Sequence, residues 1–377
     1  MKLKHGCSIA FLMYAASSHA QSSVTLYGVV DTGLMYQSAN AANFQSKINL
    51  GHAYMMKDGG LYTSLWGMIG HEDIGGGYQV NFRLEGGFSS NNGTFRPSDT
   101  PGVSAIFNRQ STVGVASPYG SVDFGRQLTP LIYAMKDTDV RGAQYFGSSL
   151  IAVLGLNQAA GWPGTSSNGA IGAIYDSNAI VYRSPKFYGA SVALEYAPGG
   201  VPGQFQGGTR ESAVLQYSDY GLNLAAVYYN GHDTNPFGPT GQAAPSTGLN
   251  NNQLYYFGAL YKIMNLSISA AYGRGKNPAN SNKANLELAS GGLGYKLSPA
   301  FEITSGFYYL HDRNNGSNHS AEFAAGANYA LSKATVTYAE VGYVDNRGTM
   351  SQIIGYGSPV PEGRSSTAAM IGIRHSF

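Results

Sequence analysis

The chain is poor in cysteine, in charged residues and in long apolar segments. It contains a single cysteine, Cys7, and only 12% of its 377 residues are charged, about half the usual ~25% of soluble domains. After residue 20, no segment approaches the ~18 uninterrupted apolar residues that a membrane-spanning helix needs. These absences exclude a disulfide-rich scaffold and a helical membrane protein, and they disfavour an ordinary soluble domain.

Residues 1–20 are predicted to be a cleaved secretion signal. The segment begins with two lysines, continues through a mostly apolar stretch at 7–16, and ends in Ser18-His19-Ala20, which offers small residues to a signal peptidase. A buried amino-terminal helix is the alternative. Cleavage would remove the only cysteine and both lysines, so the 21 acidic residues would be matched by an equal number of basic ones. This balance gives no reason to expect a nucleic-acid partner.

Apolar residues take every second position in many segments of the remaining chain. In 79–85 (QVNFRLE) three apolar side chains alternate with polar or charged ones, which puts Arg83 on the polar face of its strand, and the same period returns at 190–198, 266–275 and 301–311. The last segment, 367–377, also alternates and ends on Phe377, as a strand that closes a barrel can do because it has no free edge. Strands with one lipid face and one water face are compatible with the mean hydropathy of −0.16.

Short and long connections alternate along the chain. Tight turns are predicted near 118–120, 187–189, 219–221, 297–299 and 331–333, and the other connections are long and rich in Gly and Asn. Tyr295 and Tyr329 precede two of these turns, and Tyr261 precedes the short connection between the predicted strands 253–264 and 266–275; at such positions a ring can face lipid while its hydroxyl meets water. We therefore predict an all-β fold, a transmembrane antiparallel β-barrel of about 16 strands. The predicted strands are 24–36, 62–72, 78–88, 106–117, 121–128, 179–186, 190–198, 211–220, 222–231, 253–264, 266–275, 285–297, 301–311, 321–331, 334–345 and 366–377.

A series of short motifs runs from the first predicted strand to the last. They are VTLYGVVD at 24–31, EDIGGG at 72–77, FNRQ at 107–110, GRQ at 125–127, YRSP at 182–185 and GIRHSF at 372–377. In this order and spacing they resemble the trimeric porins of Gram-negative bacteria, most closely the beta-proteobacterial and neisserial group. The resemblance covers the whole mature chain and implies two parts, a signal peptide at 1–20 and a porin barrel at 21–377.

The resemblance implies a homotrimer in outer-membrane lipid, with a water-filled channel for ions and small hydrophilic solutes and no cofactor. One departure concerns the second strand, where Ser64 stands in place of a basic residue common in the family and an apolar side chain takes a lysine position. The ion preference is therefore not predicted from the resemblance. The arginines of the expected wall favour anions slightly.

The longest stretch without alternation is the third long loop, 129–178. The resemblance implies that this loop folds into the barrel and narrows the channel, whereas a loop on the outer surface is the alternative. It carries Lys136, Asp137, Asp139 and Arg141, followed by an apolar run at 149–156 that could pack on the inner wall as a short helix. Carboxylates on the loop facing arginines on the wall would set a field across the channel. The predicted pore constriction consists of Arg83, Arg109, Arg126, Arg183, Asp137 and Asp139.

Three functions remain compatible with these patterns. The first is a general diffusion porin, the second a substrate-specific channel for a sugar or an organic anion, and the third a barrel or sandwich that acts as an adhesin or an enzyme. Catalytic and metal motifs are weak: His71-Glu72 lacks a second histidine because position 75 is glycine, and Asn277 follows Gly273–Lys276 where a phosphate loop needs Ser or Thr. We expect no enzymatic activity, no metal and no cofactor.

Overall fold

The chain folds into one antiparallel sheet that closes on itself. The structure is a computed structural model that describes residues 23–44, 46–95, 105–161, 171–232, 251–276 and 284–377, so the predicted signal at 1–20 lies outside the described residues. The first strand, β1 (Ser23–Gln37), pairs with the last, β17 (Ser366–Ser376), from Val29 opposite Ser376 to Gln37 opposite Ala368. This pairing leaves the sheet without an edge, as a barrel requires.

Within the described residues the sheet contains 17 strands. Two of them, β2 (Ala53–Asp58) and β3 (Ser64–Gly75), both pair with β1 and share one position beside it, so the barrel has 16 strand positions, as predicted. Most predicted bounds lie within a few residues of those found, but β2 was not predicted. The other strands are β4 Tyr78–Phe88, β5 Gln110–Ser117, β6 Gly120–Leu128, β7 Tyr175–Arg183, β8 Ala190–Ala197, β9 Arg210–Asp219, β10 Leu222–His232, β11 Asn251–Ile263, β12 Leu266–Lys276, β13 Asn285–Ser298, β14 Phe301–Asp312, β15 His319–Ala330 and β16 Thr335–Asn346.

The break between β2 and β3 is organised around one buried carboxylate. Asp31 of β1 accepts hydrogen bonds from the backbone N–H groups of Leu61 (3.1 Å) and Tyr62 (2.9 Å) and from the hydroxyl of Tyr338 on β16 (2.6 Å). The carboxylate therefore satisfies backbone donors that leave the regular ladder at 59–63, and a buried donor without an acceptor would be costly. A strand interrupted in this way shows no continuous alternation, which is why the sequence did not indicate β2.

The strands alternate between an exposed, largely apolar outer face and an inner face of polar, small or buried side chains. On β15, for example, the outward Phe323 is 49% exposed and its neighbour Ala324 is fully buried. The three tyrosines that precede tight turns, Tyr261, Tyr295 and Tyr329, are 44%, 49% and 49% exposed, as expected of rings in an interfacial belt. No helix in the part of the chain that the structure describes is long and apolar enough to cross a bilayer.

The third long loop folds into the barrel, as the resemblance implied. It contains α1 (Pro130–Asp137), which begins at a proline suited to the first helical turn, and α2 (Ser149–Ala159). Leu131 of α1 and Leu156 of α2 are fully buried in one cluster with inward residues of the wall such as Leu254 and Leu310. Burial of each such side chain contributes about 1.5–3 kcal/mol, so this packing holds both helices against the inner wall.

A second segment also enters the barrel, which the sequence did not indicate. The connection between β16 and β17 was predicted only as a long loop, but Ile353, Ile354 and Val360 in it are fully buried. Phe146 of the third loop pairs with Gly355 in an isolated antiparallel bridge, and Tyr145 stacks on Tyr356 with ring centroids 4.3 Å apart. The two inserted segments therefore support each other.

Candidate functional site

Two polar cavities remain beside the inserted third loop. The first, about 450 Å³, lies against the inner faces of β3 to β7 and is bounded by Tyr133 of α1. Its charged side chains are Arg83 of β4, Asp123 of β6 and Arg183 of β7. Because these strands alternate, the residues that point into the cavity are the polar members of each pair, and this is the face on which the sequence placed Arg83.

The second cavity, about 540 Å³, is lined from the carboxyl-terminal end of α1. Lys136 and Asp137 reach it from the helix, and Lys262, Lys296 and Glu302 reach it from strands near the tight turns. None of these last three residues was predicted to belong to the site. Their alternation with outward Tyr261, Tyr295 and Phe301 or Ile303 was the signal that could have identified them.

Arg83 and Arg183 are the wall arginines that face the first cavity. Arg183 pairs with Asp123, Nη1 to Oδ2 at 2.7 Å, and its guanidinium lies 5.8 Å from the ring centre of Tyr133. Arg83 makes no ion pair with any described residue, and its strand neighbours in register are Ile69 and Thr112. Arg83 is therefore the less neutralised of the two positive charges.

Arg109 and Arg126 are held within the wall instead. Arg109 is 8% exposed and pairs with Glu85, Nε to Oε1 at 2.6 Å, while the hydroxyl of Tyr27 donates to the other carboxylate oxygen of Glu85 at 2.7 Å. Both guanidinium groups lie against the ring of Tyr175, at 5.3 Å for Arg109 and 5.2 Å for Arg126.

Arg126 is oriented by a local irregularity of β6. The register of β6 against β7 shifts between Gly125 and Gln127, and Gly125 has a φ of +120°, which favours glycine. The Arg126 guanidinium then donates to the carbonyl oxygen of Asn108 at 2.6 Å and to Ser177 Oγ at 2.9 Å. These contacts fix the side chain against the wall.

The two predicted carboxylates of the loop differ in the same way. Asp137 is exposed in the second cavity, and the amide of Gln216 lies 3.4 Å from its Oδ2. Asp139 borders the same cavity but is only 8% exposed. It accepts from Ser149 N at 2.7 Å, at the start of α2, and from the hydroxyl of Tyr308 at 2.9 Å. Burial raises the pKa of the Asp139 carboxyl, and these hydrogen bonds partly oppose the rise.

Arg141 anchors the loop to the wall, a role that the sequence did not reveal. The side chain is fully buried, and its Nη2 lies 2.6 Å from Glu340 Oε2 of β16. It also donates to Thr304 Oγ1 at 3.1 Å and to the carbonyl oxygen of Phe146 at 2.8 Å. Glu340 alternates with outward Ala339 and Val341, so the sequence indicated an inward carboxylate that would need a positively charged partner.

The structure thus brings Arg83, Arg183 and Asp137 to the polar cavities and places Arg109, Arg126 and Asp139 in supporting contacts. The assignment of all six to the pore constriction stays a prediction. Among the described residues no group of three or more His, Cys, Asp and Glu is arranged to hold a metal ion.

The comparisons with known proteins agree with one another. Residues 8–349 match the family model described as Gram-negative porin. Outer membrane porin protein 32 of Delftia acidovorans is 29% identical, with 98% of each chain covered. An outer membrane porin protein of Bordetella pertussis is 27% identical, with 97% of each chain covered.

Solved structures show the same fold. The anion-selective porin from Comamonas acidovorans superposes with a TM-score of 0.75 at 22% identity, covering 95% of this chain and 100% of that one. The trimer form of in-vitro folded OmpT from Vibrio cholerae superposes with a TM-score of 0.65 at 14% identity, covering 94% and 99%. At these identities the likeness concerns the fold.

Proposed function

Because the chain belongs to the Gram-negative porin family, and so forms an outer-membrane channel for passive diffusion of ions and small solutes, we propose that its solute path follows the two polar cavities and favours anions. Accessible cations outnumber accessible carboxylates along them: Arg83, Arg183, Lys136, Lys262 and Lys296 against Asp123, Asp137 and Glu302. This excess is the observation that carries the proposal, since wall charges in a narrow, low-dielectric channel raise the local concentration of counter-ions.

In this proposal the six predicted constriction residues divide into two groups. Arg83, Arg183 and Asp137 act directly on permeating ions. Arg109, Arg126 and Asp139 hold the wall and the loop in position through the contacts described above. The steric limit is set by Tyr133, which lines the first cavity, and by the carboxyl-terminal end of α1, which lines the second.

Planar-bilayer recording under a potassium chloride gradient tests this proposal. We expect stable ohmic steps and a reversal potential with the sign of chloride selectivity. A reversal potential with the opposite sign would contradict the anion preference, and absence of ohmic steps would contradict an open channel. A current that decreases saturably on addition of a sugar or an organic anion would favour the substrate-specific channel instead.

We also propose that three copies associate. The resemblance supports this assembly, and OmpT of Vibrio cholerae, which shares the fold, has been solved in a trimer form. Native mass spectrometry in mild detergent should give three times the mass of the mature chain, and conductance should appear in steps of three. A monomeric mass at every protein concentration would contradict the assembly.

The mature chain is proposed to begin at Gln21, after cleavage behind Ala20. The lysines, the apolar segment and the small residues at the end of 1–20 support this. Intact-mass measurement on protein isolated from outer membranes should show the loss of the first 20 residues. A full-length mass would contradict the cleavage.

A further inference from the structure

A group of cations lies on the outer face of the barrel, at the long-loop end of β12 to β14. Arg274, Lys276 and Arg313, called here the outer basic cluster, follow the lipid-facing residues of their strands: Ile268 and Tyr272 of β12 are 43% and 44% exposed, and Arg274 and Lys276 continue the same alternation. Charged side chains on the outer face of a barrel are costly near the membrane midplane but are accommodated near its interfaces. Their position at this end therefore suits a headgroup layer.

The cluster is built from two adjacent rows of paired residues. In the first row Arg274 is opposite Glu287, and Glu287 is opposite His311. In the second row Lys276 is opposite Asn285, whose carbonyl oxygen accepts from the backbone N–H of Arg313 at 2.8 Å. The three permanent cations are therefore neighbours across three strands, although the chain separates Lys276 from Arg313 by a complete hairpin.

One carboxylate lies inside the cluster and orients it. Glu287 Oε1 accepts from Arg313 Nη1 at 2.5 Å and from the hydroxyl of Tyr272 at 2.7 Å. Arg274 Nη2 donates a hydrogen bond to Asn285 Oδ1 at 3.2 Å. The Lys276 ammonium lies 5.9 Å from the ring centre of Tyr255. One negative charge among three positive ones leaves a net positive surface that is already preorganised.

An apolar groove of about 670 Å³ lies on the same outer face across β9 to β12, and it reaches the cluster at Tyr272 of β12. Leu224, Ala259 and Ala270 form one row across β10 to β12, so short side chains lie between the longer side chains of Leu215 and Tyr272. Tyr272 belongs to both features, because its ring lines the groove and its hydroxyl joins the cluster. The cationic cluster and the apolar groove therefore meet at this residue and form one continuous surface.

We propose that this surface binds a lipid of the outer leaflet whose headgroup carries phosphate, with one acyl chain in the groove. Guanidinium groups recognise phosphate oxygens through paired, charge-assisted hydrogen bonds, and a lysine adds a point charge. Apolar chains gain by covering exposed hydrophobic surface, and cations beside a membrane attract anionic headgroups. The occupant is therefore an acylated lipid whose phosphate-bearing headgroup is net anionic, rather than a lipid with a neutral or zwitterionic headgroup or a free anion.

The barrel offers a matched control groove. A second outer groove of about 720 Å³ lies across β14 to β17, β1 and β2 and is also lined by alanines, among them Ala325, Ala339 and Ala369. At its long-loop end Asp345 is paired with Arg347, Oδ2 to Nη2 at 2.9 Å, so one charge offsets the other. We expect acyl chains to contact both grooves, and a phosphorylated headgroup to be retained at the first.

The binding experiment uses the purified protein in detergent, with lipid A carrying two phosphates as the probe. Native mass spectrometry measures the fraction of protein that retains one lipid. Lipid A is compared with its dephosphorylated form and with lipid A in the presence of excess inorganic phosphate. We expect clear retention of the phosphorylated form and much weaker retention of the dephosphorylated form. Equal retention of the two would overturn the proposal, and so would loss of retention at low millimolar inorganic phosphate.

Variants then locate the site. Arg274→Gln combined with Arg313→Gln should weaken apparent affinity roughly tenfold, and Ala270→Phe, which fills the groove, should also weaken it. Arg347→Gln and Ala339→Phe are the controls in the second groove and should leave affinity unchanged. Unchanged affinity in the first pair of variants, or equal losses in the controls, would overturn the proposal. Channel conductance verifies folding of every variant, and the comparison of lipids on the unaltered protein stands even if a variant fails to fold.

Discussion

The inner wall of the barrel has an open sector, which faces a polar cavity, and a covered sector, which packs against inserted segments of the chain. Along β4 to β7 it faces a polar cavity with Arg83, Asp123 and Arg183, whereas along β13 to β17 it is covered by two inserted segments and contains buried residues such as Leu288 and Leu310. Both sectors have the same alternation and the same apolar outer face. The difference lies in the inward residues, which are polar where solvent fills the barrel and apolar where the chain folds back over them.

An inward position in a wide barrel therefore does not by itself face the channel. In the covered sector the inward Glu340 of β16 is neutralised by Arg141 of the third loop, and this ion pair attaches the loop to the wall. In the open sector Arg83 has no such partner among the described residues. Variants in the two sectors and at their boundary test this difference.

The largest effect is expected from Arg141→Met. This change leaves the Glu340 carboxylate buried without its cation, which should lower the free energy of unfolding by about 3–5 kcal/mol and loosen the third loop. Guanidinium unfolding in detergent measures the first effect and single-channel noise the second. The double variant Arg141→Met/Glu340→Met removes the lone charge and should recover most of the loss. A double variant as unstable as the single one would contradict the coupling.

Tyr175 lies at the boundary between the two sectors. It packs in one cluster with Tyr145 and Ile353 and carries Arg109 and Arg126 against its ring. Tyr175→Leu keeps an apolar side chain but removes both cation–π contacts, which should lower the free energy of unfolding by about 1–2 kcal/mol. Thermal unfolding compares it with Tyr119→Leu in an exposed turn, which should change stability by less than about 0.5 kcal/mol. An equal loss of stability in both variants would contradict a stabilising contribution from the two cation–π contacts.

In the open sector, Arg83→Gln should lower the chloride-to-potassium permeability ratio about two- to threefold, because one unpaired charge acts on ions across a partly screened distance. Reversal potentials in dilute potassium chloride measure the ratio. Lys333→Gln, in the turn between β15 and β16, removes the same charge outside the cavities and should leave the ratio close to that of the unaltered protein. The proposed role of Arg83 would fail if both variants changed the ratio equally.

The smallest effect is expected from Asp137→Asn. Removal of this exposed carboxylate should raise the chloride-to-potassium ratio by less than about twofold, and the difference should disappear near 1 M salt, where screening acts over roughly 3 Å. The same recordings at low and high salt measure both. A change in the opposite direction would mean that Asp137 does not face the path.

Much of the barrel could be predicted from the sequence because alternation is a local property. The bounds of β4 were predicted as found, and Arg83 was placed on the inner face from its neighbours alone. The strand at 53–58 could not be found, since its alternation is too short and the residues that complete its position, at 64–75, follow only after the chain wraps around Asp31. The resemblance, rather than the residue pattern, supplied the inward fold of the third loop.

The partners of the predicted site residues could not be read locally. The distance along the chain from Arg109 to Glu85, or from Asp139 to Tyr308, gives no indication that they touch. Lys262 and Lys296 were within reach of sequence reasoning, because each alternates with outward neighbours at the end of a strand. Neither lysine lies in one of the family-like motifs, so only the parity of its strand marks it as an inward charge.

The interruption between β2 and β3 has a consequence for how the channel is narrowed. In an unbroken strand the carbonyl group of Leu61 would have paired with the adjoining strand, but here it accepts from the backbone N–H of Tyr145 at 3.1 Å. The interrupted strand pairing therefore provides a backbone acceptor that holds the third loop. A chain with one unbroken strand in place of β2 and β3 would gain hydrogen bonds in the wall. It would lose the contact that holds the third loop inside the barrel.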